Sequence, residues 1–479
     1  MQGNTMQLRQ WQQEAITAAL AQYKTDHPHF LCLATPGAGK TFMASQIAKE
    51  LMAAGKIDFV FVFSPSVNVA TSFQVSLESQ LNCRLDGFLG SKGRSLTYQS
   101  MPSSDSAFWT LLSQFKTLAI FDEIHHCAGD NLDNTNVWGQ KIIQHIQGKA
   151  NYTLALTGTP WRSDKIPIAL SSYCVNGIIQ CGYSYGLERA IQDSVCRTPK
   201  IIAVDNEDIT LLSGDESERY SSFAELLKQS KCTYQQLLES DDLITYMVKV
   251  TAKKLKQVRR KQSNAGALVV AANVDHAIKI AEIIECETGD SARVVTYLHE
   301  DAQEAIRDFR EANDKWIVSV GMISEGTDIP RLKVCCHLTR VKTELYFRQI
   351  LGRILRSTGI ENDEGFLFMP AEPNLVEYAE RIIEDIPNAN TVAIEQMIGS
   401  ITTSDNSTQV LTLPEIGNDP KPIVNVNFSN ELFSGEKGVE LSALTTPTLA
   451  ETYDTSVGLF GRFKQEIINF AIQDIAFNR

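Results

Sequence analysis

Short apolar runs recur along this chain at intervals that predict strands alternating with helices. Residues 30–34, 59–63, 118–121 and 152–156 are almost continuously apolar, the pattern of strands buried on both faces. Between the first two, Met43, Ile47 and Leu51 fall at helical steps. A second series occupies residues 267–270, 294–295, 316–320, 334–338 and 366–369, and segments between them such as 275–284 and 302–309 read as helices. The expectation is an α/β chain with two parallel sheets in tandem, each covered by helices on both faces.

Residues 195–262 read as needed for neither sheet. They hold an acidic stretch, 205–218, and then helical patterns through Phe223, Leu226, Leu227, Leu237, Leu238 and Leu243, which predict a linker with a helical insertion. Past residue 390 the character changes again. Residues 400–422 are rich in Ser, Thr, Asn and Pro and read as an extended connection, whereas Phe463, Ile467, Phe470, Ala471 and Ile475 form a stripe that predicts a closing helix. That helix is expected to pack on the second sheet, with a protein partner as the other reading.

The candidate chemistry sits where strands end. Residues 34–41, Ala-Thr-Pro-Gly-Ala-Gly-Lys-Thr, follow the first strand and open a helix, the context of a phosphate-binding loop. Pro36, Gly37, Ala38 and Gly39 would shape backbone N–H groups around phosphate oxygens, Lys40 would reach the outer phosphates, and Thr41 would hold Mg²⁺. The run 118–121 delivers Asp122 and Glu123, followed by Ile124, His125 and His126. Asp122 is placed for Mg²⁺, and Glu123 for orienting and deprotonating the water that attacks a γ-phosphate. ATP and Mg²⁺ are the cofactors expected.

These motifs resemble superfamily 2 helicases and translocases of the DExH type. Leu8-Arg9-Gln10-Trp11-Gln12 is similar to the family's adenine-reading element, with Gln12 on the base. Ser64-Pro65 resembles motif Ia, and Thr97-Tyr98-Gln99 a later strand-contacting motif, which makes Ser64, Pro65, Thr97 and Tyr98 candidates for nucleic-acid contact. Thr157-Gly158-Thr159-Pro160 resembles motif III, whose hydroxyls, with His125, would couple the nucleotide site to the nucleic-acid groove. Residues 321–330, including Gly326 and Asp328, resemble motif V, and residues 349–356, from Gln349 to Arg353 and Arg356, resemble motif VI. Motif VI and the extension Trp161-Arg162-Ser163-Asp164 are similar to the branch holding XPB-type translocases, phage branch-migration helicases and type III restriction motor subunits.

The resemblance implies two RecA-like domains, over residues 1–195 and 263–390, separated by the insertion at 196–262 and followed by an extension over 391–479. Lys40 and Arg356 would face each other across one cleft, with Arg353 and Arg356 reaching the γ-phosphate. It also implies an ATP-driven motor on nucleic acid, DNA favoured over RNA, with an ATP-gated clamp and a motor subunit of a restriction or defence complex as alternatives.

Composition changes this picture little. Of 479 residues, 43% are hydrophobic, enough for two full cores, and no apolar run or leader-like N-terminus points to a membrane, so a cytoplasmic protein is expected. The ten cysteines lack metal-ligand spacing and read as thiols. A net charge of −13 does not exclude a nucleic-acid partner, because such motors grip phosphates locally. The densest basic stretch is 249–261, where Lys249, Lys253, Lys256 and Arg260 share a helix face and are candidates for backbone contact.

Overall fold

The structure is a computed structural model that describes residues 7–25, 27–131, 134–160, 162, 166–175, 177, 179–213, 216–298, 301–323, 327–357, 363–384 and 455–468. Trp161, Ser163, Asp164, Gly326, the connection at 400–422 and Phe470, Ala471 and Ile475 lie outside these residues.

The first body begins with α1 (Gln10–Gln22), β1 (His29–Ala34), α2 (Lys40–Ala53), β2 (Phe59–Ser64), α3 (Val67–Leu81) and β3 (Gly93–Thr97). It continues through α4 (Ser106–Gln114), β4 (Thr117–Asp122), α5 (Val137–His145) and β5 (Tyr152–Thr157). A small hairpin, β6 (Ser172–Tyr173) with β7 (Ile179–Gln180), precedes β8 (Tyr183–Tyr185) and α6 (Leu187–Gln192). The sheet runs β3-β2-β4-β5-β1-β8 and is parallel throughout. Both faces are buried, as the unbroken apolar runs predict: Phe30, Val60, Val62 and Ile120 lie in one core, and Leu31, Phe61, Phe63 and Phe121 in the other. β3 and β8 carry too many polar residues to stand out as buried strands, which is why periodicity alone misses them.

The second body starts earlier than the sequence reading places it. β9 (Thr198–Asn206) is a full strand of the second sheet, so residues 196–262 are not an insertion independent of both sheets. The acidic stretch 205–218 carries most of an antiparallel hairpin of β10 (Ile209–Ser213) and β11 (Glu216–Tyr220). Helices follow as α7 (Phe223–Gln229), α8 (Tyr234–Leu238) and α9 (Asp241–Arg259), and α9 buries Leu243, Ile244, Met247, Val248, Thr251 and Leu255 against the second core.

Then come β12 (Gly266–Ala271), α10 (Val274–Thr288), β13 (Ala292–Thr296), α11 (Ala302–Glu311), β14 (Trp316–Val320), β15 (Leu332–Leu338), α12 (Glu344–Ile354), β16 (Glu364–Pro370) and α13 (Pro373–Glu384). The sheet order is β13-β14-β12-β15-β16-β9-β18, where β18 (Phe463–Ile468) lies antiparallel to β9 at the edge. β17 (Thr455–Leu459) adds to the hairpin as β11-β10-β17. Phe463 and Ile467 therefore belong to a strand and not to the expected helix. Pairing with β9 satisfies an otherwise open strand edge, and Phe463 stacks on Tyr246 of α9 at 4.0 Å.

All ten cysteines are free thiols, and Cys335 and Cys336 are both buried in β15. Among the described residues, no helix is long and apolar enough to cross a membrane.

His337 of β15 is fully buried, and neither ring nitrogen has a hydrogen-bond partner. Burial pushes its pKa from 6.5 down to about 4. Between those values the unfolded chain binds a proton that the folded chain refuses, so stability is full above pH 6.5 and is lost as pH falls. His337→Leu should flatten the fall in melting temperature between pH 7 and pH 5, removing on the order of 2 kcal/mol of acid sensitivity at pH 5. An unchanged slope in a pH series of thermal melts would show that His337 is not the group responsible.

Candidate nucleotide-hydrolysis site

The site is assembled at the carboxyl ends of the first sheet's strands, where parallel sheets gather their ligand-binding loops. After β1 the chain turns through Gly37 (φ +82°) and Gly39 (φ +99°) into α2. Both glycines are required twice over, by the left-handed backbone and by crowding. A Cβ on Gly37 would lie 3.0 Å from Cγ of Arg356, and one on Gly39 would lie 2.9 Å from Nε2 of Gln12. The resulting cradle, with a helix N-terminus behind it, fits a triphosphate.

Lys40 opens α2 and is largely buried. Its ammonium donates to the carbonyl of Ala34 at 3.1 Å and pairs with Oε1 of Glu123 at 3.0 Å. Glu123 follows the end of β4 in the left-handed region at φ +50°, a conformation costing a non-glycine residue about 1–2 kcal/mol. That backbone turns its carboxylate toward Lys40. Burial alone would raise the pKa of Glu123, but the Lys40 charge, then His125 and the N–H of Gly158, outweigh it and hold the group at about 2. Glu123 is thus ionised at neutral pH. Asp122, at the end of β4, is mostly buried, and its carbonyl accepts from the hydroxyl of Tyr98 at 2.8 Å.

Motif III touches the same carboxylate. Oε2 of Glu123 accepts from the Thr157 hydroxyl and the Gly158 N–H, both at 3.3 Å. His125 Nδ1 lies 2.8 Å from Oγ1 of Thr157 and 3.1 Å from Oγ1 of Thr159, and Arg162 donates to the His125 carbonyl. The three proposed coupling side chains of the first body therefore form one network with Glu123. Gln349 is half-buried on α12, one turn before Arg353.

The opposite wall is α12, capped at its start by the Thr343 hydroxyl accepting from Tyr346 N–H at 3.4 Å. Glu344 in its first turn pairs with Arg348 at 2.8 Å and with Arg381 of α13 at 3.3 Å, fixing the helix laterally. Arg353 is nearly buried and donates to the Thr327 carbonyl at 2.7 Å. Arg356 pairs with Asp328 while its stem lies over Gly37. Pro36 is the meeting point. A Cβ on Gly158 would be 2.9 Å from its Cδ, and a Cβ on Gly352 would be 2.9 Å from its Cβ. Beside this contact a mainly apolar cavity of about 100 Å³ runs between the bodies, lined by Pro36, Thr159, Tyr185, Leu351 and Leu355 among others.

Gln12 is buried and tied to the loop. Its Oε1 accepts from Arg9 N–H at 2.9 Å, and its Nε2 donates to the Gly39 carbonyl at 3.0 Å. Trp11 stacks on Tyr185 at 4.7 Å, which anchors the element carrying Gln12 to the end of β8. Composition gave no sign of that stack.

The nucleic-acid candidates divide. Ser64 and Thr97 are register partners at the ends of β2 and β3, and Gln99 donates to the Pro65 carbonyl at 3.1 Å. Ser64 and Tyr98 are fully buried, and Tyr98 stacks on Trp138 and holds Asp122, so neither side chain offers the strand contact expected of it. Pro65 is buried as well, and only Thr97 of the four remains half-exposed. Lys253 and Lys256 are exposed on α9 and Arg260 is exposed just after it, at the end of the second sheet away from motif V. Arg259, in the same turn as Lys256 and Arg260, bonds the carbonyls of Ala265 and Asn313, which precede β12 and β14, whereas motif V follows β14.

Among the described residues, no three His, Cys, Asp or Glu side chains cluster as metal ligands. A Mg²⁺ ion would therefore depend on Thr41, Asp122 and the nucleotide's own phosphates.

Comparison with known proteins follows this division of the chain. Residues 5–162 match the family described as "Type III restriction enzyme, res subunit", and residues 250–358 match "Helicase conserved C-terminal domain". An uncharacterized protein of Mycobacterium tuberculosis is 30% identical over 389 residues, 78% of this chain and 63% of that protein. The chain thus spans under two thirds of that relative's length. A protein of Sulfurisphaera tokodaii named "DNA 3'-5' translocase XPB2" is 24% identical over 73% of this chain and 79% of its own. Among solved structures, a fragment of a putative HsdR subunit of a type I restriction enzyme from Vibrio vulnificus shares the fold, with a TM-score of 0.52 at 16% identity, covering 78% of this chain and 65% of that one.

The Pro36 contact predicts the effect of one methyl group. Gly352→Ala improves helix propensity in α12, yet its Cβ would meet only Pro36 of the facing wall. Steady-state ATPase should fall about ten- to a hundredfold with the melting temperature preserved, since small misplacements across a cleft carry such losses. A rate within about twofold of the parent would mean that the walls need not approach so closely.

Proposed function

We propose that this chain, whose two matched segments are those of superfamily 2 helicases in the branch that holds XPB-type translocases and restriction motor subunits, is an ATP-dependent motor that translocates along or remodels duplex or branched DNA. One observation carries this reading: Arg356 of the second body lies directly over Gly37 of the phosphate loop, so a single cleft holds Lys40, Glu123 and the motif VI arginines. DNA is favoured because the Sulfurisphaera relative is named as a DNA translocase.

In the proposed cycle Lys40 exchanges its Glu123 partner for a phosphate oxygen of ATP. Thr41 and Asp122 would hold Mg²⁺, which when bound would neutralise phosphate charge. Once Lys40 turns to the phosphate, the charge that depresses the Glu123 pKa is shared, and the carboxylate becomes more basic where a water is to be deprotonated. Thr157 and the Gly158 N–H keep it oriented. Arg353 and Arg356 supply charge to the departing γ-phosphate, Arg356 by leaving Asp328. Each exchange changes the grip of one body on the other, and the half-exposed end of β3 at Thr97 passes that change to a bound strand.

Lys40→Ala should abolish hydrolysis, and Glu123→Gln should bind ATP without turning it over. Arg356→Ala should lower the maximal rate by about 10³-fold or more with little change in apparent affinity for ATP. The decisive measurement is steady-state ATPase with single-stranded, duplex and forked DNA and with RNA. Strongest stimulation by RNA would replace the DNA reading with an RNA helicase. Normal hydrolysis by Arg356→Ala at saturating nucleic acid would end the motor reading.

A further inference from the structure

We propose that Arg197 is a positioning residue for hydrolysis, its buried guanidinium locking the end of the motif VI helix to the exit of motif V and so fixing where Arg353 and Arg356 stand over the phosphate loop. The inference rests on the reading of the cleft as an ATP-hydrolysing site. Arg197 lies at the junction of the two bodies: Val195 and Cys196 pack in the first core, and Thr198 begins β9 of the second sheet. Its side chain is fully buried.

Every arm of the guanidinium is used. Nη1 donates to the carbonyls of Leu332 at 2.7 Å and Ile354 at 3.1 Å, Nη2 to that of Pro330 at 2.8 Å, and Nε to Oδ2 of Asp363 at 2.6 Å. Its own N–H donates to the Leu355 carbonyl at 2.7 Å. The carbonyls of Ile354 and Leu355 close α12, where a helix leaves acceptors without partners of its own. Pro330 and Leu332 mark the passage from motif V into β15. One planar fork therefore joins the two segments that carry Arg353, Arg356 and Asp328.

The preceding residue completes the link to the first body. Cys196 is bridged to Arg356, and its thiol lies 3.7 Å from the Pro36 carbonyl. Residues 196–197 thus span from the phosphate loop to the motif VI arginines. A lysine at 197 keeps the charge for Asp363, but a single ammonium does not reproduce the fork that reaches the Pro330, Leu332 and Ile354 carbonyls at once.

Arg197→Lys tests this, with Phe223→Leu, a core substitution beside the β10–β11 hairpin, as the reference for lost stability alone. Nucleic-acid-stimulated kcat should fall by about tenfold or more in Arg197→Lys, while the affinity for a fluorescent ATP analogue stays within about threefold of the parent. Phe223→Leu should keep its kcat even at an equal or lower melting temperature. Should Arg197→Lys fail to fold, Asp363→Asn, which removes the carboxylate that orients the fork, should lower kcat in the same sense with nucleotide binding kept. The proposal is overturned if the variant that folds keeps kcat within about twofold, if Phe223→Leu reproduces the loss, or if nucleotide binding falls in parallel. Parent and Lys40→Ala assayed alongside report on the hydrolytic reading itself, so its failure shows in the parent and not only in the variant.

Discussion

Pro36 is approached from two sides by backbone that carries no side chain, and the arrangement of the cleft depends on that closeness. Gly158 presses from motif III and Gly352 from motif VI, each with no room for a methyl group. Steric repulsion rises so steeply that this contact sets the separation of the two walls within a few tenths of an ångström. The same approach lays the stem of Arg356 over Gly37, which in turn requires glycine there. Loop, coupling motif and arginine helix are thus one packed unit, and a small shift in any of them is felt by the others.

Electrostatics then decides what the packed unit does. Lys40 holds Glu123 ionised despite its burial, and the left-handed backbone of Glu123 keeps the carboxylate within reach of Lys40, Thr157 and Gly158 together. Because Thr157 also meets His125, the motif III hydroxyls do not stand apart from the chemistry as relays alone. A change in the partner of Lys40 alters the field on Glu123 directly and reaches Thr159 through His125.

Much of this was legible in the sequence where one local signal sufficed. The buried parallel strands announced themselves as unbroken apolar runs, and Lys40, Asp122 and Glu123 follow such runs at the strand ends. What escaped depends on contacts distant in the chain. β9 reads as an ordinary mixed segment because one side of it is covered by β16 and the other by β18, both from far downstream in the sequence. Tyr98 reads as an exposed contact residue until Trp138 and the Asp122 carbonyl are seen to enclose it. The stripe beginning at Phe463 has residues compatible with a helix, but the open edge of β9 offers backbone hydrogen bonds that a helix cannot use. Arg197 gave no signal, since a lone arginine is normally solvated and only the converging carbonyls make this one a core residue.

The position of β9 also bears on how the two bodies can move. The described chain passes once between them, at residues 195–198, and it has no slack there: Val195 is packed in the first core and Thr198 is already paired with Glu364 in the second sheet. Long linkers let two bodies change angle without consequence for either, but here a rotation must be absorbed by the few dihedrals around Cys196 and Arg197. Those residues contact Pro36 on one side and Arg356, Ile354 and Leu355 on the other. Opening the cleft therefore cannot leave the motif VI arginines where they are. Hinge and arginine helix are joined by backbone hydrogen bonds, which makes the angle between the bodies and the completeness of the hydrolytic site a single variable.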